Sequence, residues 1–132
     1  MILDTSAVIA ILRAEPEAPA FARAIEQAPQ RRMSTANFLE TAVMIDGSRD
    51  PVASRRLDEF FRLAGISLEP VTAEQAHLAR TAYRDFGKGS GHPAQLNFGD
   101  CFAYALARAT GERLLFKGQD FSQTDLVAAL DD

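Results

Sequence analysis

The chain has 132 residues, a length suited to one domain with one sizeable core. Its 47% hydrophobic and 24% charged content is ordinary globular composition, and no apolar run reaches the length of a membrane span. A formal net charge of -4 argues against nucleic-acid binding by bulk electrostatics but leaves room for a local basic groove. Lys88 and Lys117 are the only lysines among 14 basic residues, and the arginine bias suits surface ion pairs and forked phosphate contacts alike. The single cysteine, Cys101, cannot form an internal disulfide and reads as a small packing group. The start, "MILDTS", lacks the basic and apolar plan of a signal peptide, so the expected location is the cytoplasm.

In chain order, "MIL" predicts a short buried strand running directly through "DTS" into the helix "AVIAILRAE". "EPEAPAFARAIEQAP" predicts a second helix with Phe21, Ala22 and Ile25 on one face and Pro29 beyond its end. "RRMS" reads as a strand. "STANFLETAVMIDG" then opens with Ser/Thr capping chemistry and closes at Gly47; its nearly all-round apolar character predicts a buried helix. "DPVASRRLDEFFRLAG" is a helix from an Asp50 cap to Gly65 that buries Leu57, Phe60, Phe61 and Ala64. "ISLEPV" is a strand, and "TAEQAHLARTAYRDFG" a helix with Ala76, Ala79, Ala82, Tyr83 and Phe86 as its apolar stripe. After the long loop "KGSGHPAQLN" comes the helix in "LNFGDCFAYALA", ended by Gly111. "RLLF" is a late strand, "KGQDFSQTD" is turn-rich and "LVAAL" is a short tail. Short strands alternating with longer helices predict a single α/β domain over 1–132: a three-layer α/β/α sandwich with a small, mostly parallel central sheet. The order of the strands cannot be read from this pattern.

Four acids sit where a purely structural account is strained. Asp4 ends the first strand, at the sheet edge where open α/β proteins bind ligands, although capping the next helix is a competing use. Glu40 has apolar helical neighbours such as Ala36, Val43 and Met44, yet one edge could stay wet. Asp100 opens a helix among Phe98, Cys101, Phe102 and Tyr104; the helix dipole tolerates an acid there without explaining it, and Asn97 is an equally good cap. Asp120 follows the last strand, where a turn role is common. Asp125 reads as the cap of a C-terminal turn. Together the four make chemical sense around a hard dication such as Mg2+ or Mn2+, because several carboxylates cannot all ionise in one cleft without a counter-ion. Such a metal activates water and neutralises charge on a phosphodiester. Ser6 is placed either to hold the metal-site acids in position or to cap the first helix. Lys88, in the long loop with His92, and Lys117, beyond the last strand, are candidate phosphate contacts; a plain connector and a surface lysine are the alternatives. His77 reads as a surface residue.

"MILDTSAVIAIL", "STANFLETAVMI", "LNFGDCFAYALA" and "LLFKGQDF" resemble, in that order, the main motifs of the PIN-domain ribonucleases, and in particular the VapC-type toxins of bacterial toxin–antitoxin pairs. The resemblance runs through nearly the whole chain. It implies that Asp4, Glu40, Asp100 and Asp120 are the metal-site acids, with Asp4 and Asp100 as direct Mg2+ ligands, and that Ser6 is the first motif's hydroxyl residue. It further implies metal-dependent endonucleolytic cleavage of RNA (transfer or ribosomal RNA as substrate class), homodimerisation and inhibition by a VapB-like antitoxin. Competing assignments fit less well. A receiver domain wants paired early acids, a haloacid-dehalogenase-type phosphatase wants an acid where Ser6 stands, and a catalytically silent PIN-like binding module has no need of intact acids.

Overall fold

The computed structural model describes residues 1–130, so the last two residues of the expected domain lie outside the described part. Four strands, β1 (Ile2–Leu3), β2 (Arg32–Ser34), β3 (Ser67–Glu69) and β4 (Leu114–Leu115), form one sheet in the order β3-β2-β1-β4. Every pairing in it is parallel. Six helices flank it: α1 (Thr5–Leu12), α2 (Ala18–Gln27), α3 (Thr35–Asp46), α4 (Pro51–Ala64), α5 (Ala73–Phe86) and α6 (Phe98–Thr110). This is the expected three-layer α/β/α sandwich.

The alternation of side chains along a strand separates the two cores. The register Ile2↔Leu114 and Leu3↔Leu115 puts one pair of apolar side chains on each face. Ile2 and Leu114 pack with Leu96, Cys101, Tyr104, Leu106 and Phe121, against Ala79, Ala82 and Phe86 of α5. Leu3 and Leu115 pack with Val8, Phe21, Ile25 and Met33, flanked by Phe38, Phe60 and Phe61. A third cluster, Ile9, Ile45 and Leu57, joins α1, α3 and α4. Ion pairs tie the strands together: the Met1 ammonium meets Glu112 at 2.6 Å, and Arg32 meets Glu112 at 3.1 Å and Glu69, at the end of β3, at 3.5 Å.

Three helix readings shift. In α2 the inward residues are Phe21 and Ile25 with Ala24 beside them, while Ala22 faces solvent. In α5 the stripe rotates toward Gln75, so Ala76 and Tyr83 are exposed while Ala79, Ala82 and Phe86 pack inward. Most consequentially, α3 is not buried all round. Its inner face carries the fully buried polar residues Asn37 and Thr41 with Ile45, whereas Leu39, Val43 and Met44 are 62%, 63% and 41% exposed. Most groups of this polar inner face find partners: Thr41 Oγ1 donates to Asn37 O at 2.8 Å and Asn37 Nδ2 donates to Gly99 O at 3.0 Å.

Candidate active site

The sheet order makes a switch point. From β1 the chain moves outward to β2 and β3, then returns to place β4 on the other side of β1, and the crevice at the carboxyl ends of β1 and β4 is where such sheets bind ligands. A cleft of about 480 Å³ opens there, lined among others by Asp4, Ser6, Glu15, Glu40, Asp100 and Lys117.

Asp4 leaves β1 and caps α1, so the capping and cleft roles belong to one carboxylate. Its Oδ2 accepts from Ser6 N at 3.0 Å and Ser6 Oγ at 2.6 Å. Its Oδ1 is buried with no hydrogen-bond partner among the described residues. Burial pushes the Asp4 carboxyl up to about 7, with the Asp100 and Glu40 charges adding to the rise and the Ser6 bonds opposing it. Ser6 Oγ also accepts from Lys117 N at 2.9 Å, tying the acid to the segment after β4.

Asp100 is the third residue of α6 and forms a capping box with Asn97. Asp100 N donates to Asn97 Oδ1 at 2.8 Å, and Asn97 N donates to Asp100 Oδ2 at 3.0 Å. Its carboxyl is pushed up to about 6, first by burial and then by the Asp120 and Glu40 charges; the Asn97 bond and the Lys88 charge pull the other way. Glu40 comes from α3, where its Oε1 accepts from Thr5 Oγ1 and, at 3.3 Å, from Asn37 Nδ2. The same Asn37 amide donates to Gly99 O at 3.0 Å.

The remaining residues divide. Asp120 is exposed beyond β4 and caps nothing with its side chain, yet its charge is felt by Asp100. Lys88 is exposed on the long loop, its charge also felt at Asp100; the loop itself is anchored by Lys88 N to Leu96 O at 3.0 Å and by buried Ala94 and Leu96. Lys117 Nζ is engaged by Glu17 at 3.2 Å and Glu15 at 3.3 Å, which keep its ammonium strongly charged. His77 is exposed, and His92 stacks edge-on to Phe86 at 4.8 Å as part of the loop's packing. Asp125 accepts from Tyr104 OH at 2.7 Å and pairs with Arg108 at 3.3 Å, anchoring the tail to α6 rather than capping a turn. Cys101 is buried, its thiol pushed up to about 11 chiefly by that burial.

Sequence reasoning missed Thr5, Asn37 and Gly99. The polar pair Asn37 and Thr41, four residues apart within an apolar helix, is the signal that could have found the inner face.

Among the described residues no three His, Cys, Asp or Glu side chains stand close enough for an all-protein metal cage. Mg2+ does not require one, since it keeps several waters and binds through one or two carboxylates plus substrate phosphates. The orphaned Oδ1 of Asp4 and the raised Asp4 and Asp100 carboxyls supply hard oxygen donors and an uncompensated charge, which fit such an ion.

A family model described as PIN domain matches residues 1–127. Ribonuclease VapC28 of Mycobacterium tuberculosis is 57% identical over 131 residues, covering 99% of this chain and 98% of that protein. Two solved structures share the fold. Mycobacterium tuberculosis VapC20, a sarcin–ricin-loop-cleaving toxin, superposes with a TM-score of 0.72 at 22% identity over 96% of this chain and 95% of that one. A toxin–antitoxin complex from Klebsiella pneumoniae gives 0.71 at 16% identity over 99% and 98%.

Proposed function

Since the chain belongs to the PIN-domain family and stands among its VapC ribonucleases, we propose that it is a metal-dependent endoribonuclease serving as the toxin of a toxin–antitoxin pair. The observation that carries this reading is the buried Asp4 carboxylate, with one oxygen unpaired, sharing a switch-point cleft with Asp100 and Glu40. Asp4 and Asp100 are the residues that would hold Mg2+ or Mn2+. When bound, such an ion supplies charge neutralisation on the phosphodiester and lowers the pKa of an attacking water.

The chain's own groups do the rest. Ser6 fixes the Asp4 carboxylate by two hydrogen bonds, and the capping box fixes Asp100. Glu40 stands as a third carboxylate beside them, suited to orienting or accepting a proton from water. Asp120 contributes negative potential from the rim, and Lys88 offers a positive group there for a phosphate. Lys117 would have to leave Glu15 and Glu17 to do the same. The expected partners are an RNA substrate, a VapB-like antitoxin and a second copy of the chain. The Klebsiella complex supports the antitoxin, and the apolar surface of Leu39, Val43 and 78%-exposed Phe98 supports self-association.

The test is cleavage of RNA by purified protein with Mg2+ or Mn2+, abolished by a chelator. Asp4→Asn and Asp100→Asn should each lose at least about 100-fold while folding normally. Wild-type cleavage by both folded variants would remove the proposed site. Expression should arrest growth, with relief by the cognate antitoxin; normal growth despite abundant protein would count against the toxin role and leave the nuclease chemistry standing.

A further inference from the structure

Gly99 and Asn37 lie next to the acids without being acids. An ideal Cβ built on Gly99 would overlap Glu40 Oε2 and lie 2.7 Å from Glu40 Cδ and 2.8 Å from Oε1. The contact partner is the Glu40 carboxylate itself, so any side chain at this buried position of α6 must push Glu40 out of place. Asn37 closes the same contact from the α3 side. Its amide nitrogen reaches Gly99 O at 3.0 Å and Glu40 Oε1 at 3.3 Å. Both neighbours are acceptors, which fixes the orientation of the amide: flipping it would set an oxygen against two oxygens. In this orientation Asn37 Oδ1 is buried without a partner. A wholly buried amide held with one atom unsatisfied is costly, and the two acceptors it serves join α3 to α6 at the site.

We propose that Asn37 and Gly99 are a positioning pair that holds the Glu40 carboxylate against the first turn of α6, and so sets its spacing from Asp100. This rests on the reading that Glu40 belongs to the metal-assisted machinery. Neither residue needs to touch RNA. Gly99 lets the helix approach, and Asn37 locks the approach once it is made.

Asn37→Ala, Gly99→Ala and the structural control Thr41→Val are compared with wild type in two assays. One is Mn2+ affinity by calorimetry, and the other is cleavage of a fluorogenic single-stranded RNA of mixed sequence. Thr41 is a suitable control because it is buried on the same face and its hydroxyl serves only backbone. Gly99→Ala retains a sound helix former, so it tests the idea even where Asn37→Ala folds poorly. The expected result is a loss of roughly 10- to 100-fold in kcat and in Mn2+ affinity for Asn37→Ala and Gly99→Ala, with RNA KM within about 2-fold and Thr41→Val near wild type. In a Glu40→Gln background the two substitutions should cost less than about 2-fold further, because they act through the group already removed.

A full additional loss in that background, or losses no larger than those of Thr41→Val at matched melting temperature, overturns the pair. Wild-type cleavage and Mn2+ affinity in Glu40→Gln alone overturns both the pair and the catalytic placement of Glu40. A wild-type protein that cleaves no RNA removes the nuclease reading alone, and the Mn2+ affinities then decide the pair.

Discussion

Replacing Asp4 by Asn should stabilise the metal-free protein at alkaline pH and not at acidic pH. The Asp4 carboxyl lies at about 7 in the folded chain against an ordinary 3.8, with burial the first cause. For a carboxyl raised by folding, the stability linked to its proton is fully present below 3.8 and is lost as pH rises through about 7. That rise corresponds to about 4 kcal/mol lost by pH 8. An Asn keeps a neutral oxygen for the Ser6 donors but brings amide hydrogens toward the unpaired Oδ1 position, at a cost of about 1–3 kcal/mol if they stay unbonded. The net gain at pH 8 is therefore about 1–3 kcal/mol, or roughly 3–10 °C in Tm for a chain of this size. At pH 5 the wild-type carboxyl is largely protonated, so the gain vanishes or reverses. Thermal melts of both proteins from pH 5 to 8 with a chelator present measure this, and added Mn2+ should raise the wild-type Tm alone. Two melting curves separated by a constant offset across that range would refute the reasoning, because the difference must grow while the folded chain holds the Asp4 proton that the unfolded chain has released, and level off above about 7.

Other expectations are simpler. Lys88→Ala removes a charge that lowers the Asp100 carboxyl, so the acid limb of the pH–rate profile should move to higher pH; an unmoved limb dissociates Lys88 from the site. If the proposed self-association uses the exposed apolar face of α3, wild type should run as a dimer by size-exclusion chromatography with light scattering and Leu39→Glu combined with Val43→Glu as a monomer; identical masses for the two would remove this face from the interface. Arg31 Nη1 reaches Ala64 O at 2.7 Å and Nη2 reaches Glu26 O at 2.9 Å, closing the carboxyl ends of α4 and α2. Arg31→Ala should cost about 2 kcal/mol in urea denaturation and leave RNA cleavage per folded molecule unchanged.

Much of the architecture was legible before folding was considered. Periodicity and caps located α1 to α6, because Asp50, Gly65 and Gly111 act through local backbone chemistry that needs no tertiary partner. Asp4 and Asp100 stood out since each combines a strand or helix terminus with apolar surroundings. The α3 helix was harder to read. Composition alone predicts burial all round this helix, but its inward face is chosen by Asn37 and Thr41, and the Asn37 bond to Gly99 O exists only once α6 is alongside. Gly99 was silent for the same reason: its missing side chain matters only where another helix presents a carboxylate.

By itself, then, the sequence determined the alternation of strands and helices, the two apolar faces of β1 and β4, and the placing of Asp4, Asp100 and Asp120 at or just beyond element ends. Those properties follow from local propensity, side-chain period and charge. Only the tertiary structure decided that β1 lies between β2 and β4, making the end of β1 the switch point where Asp4 meets Asp100 and Glu40. It also decided that Asp4 caps α1 with one oxygen while keeping the other unpaired. Strand order and side-chain convergence depend on contacts between residues far apart in the chain, and no local pattern carries that information.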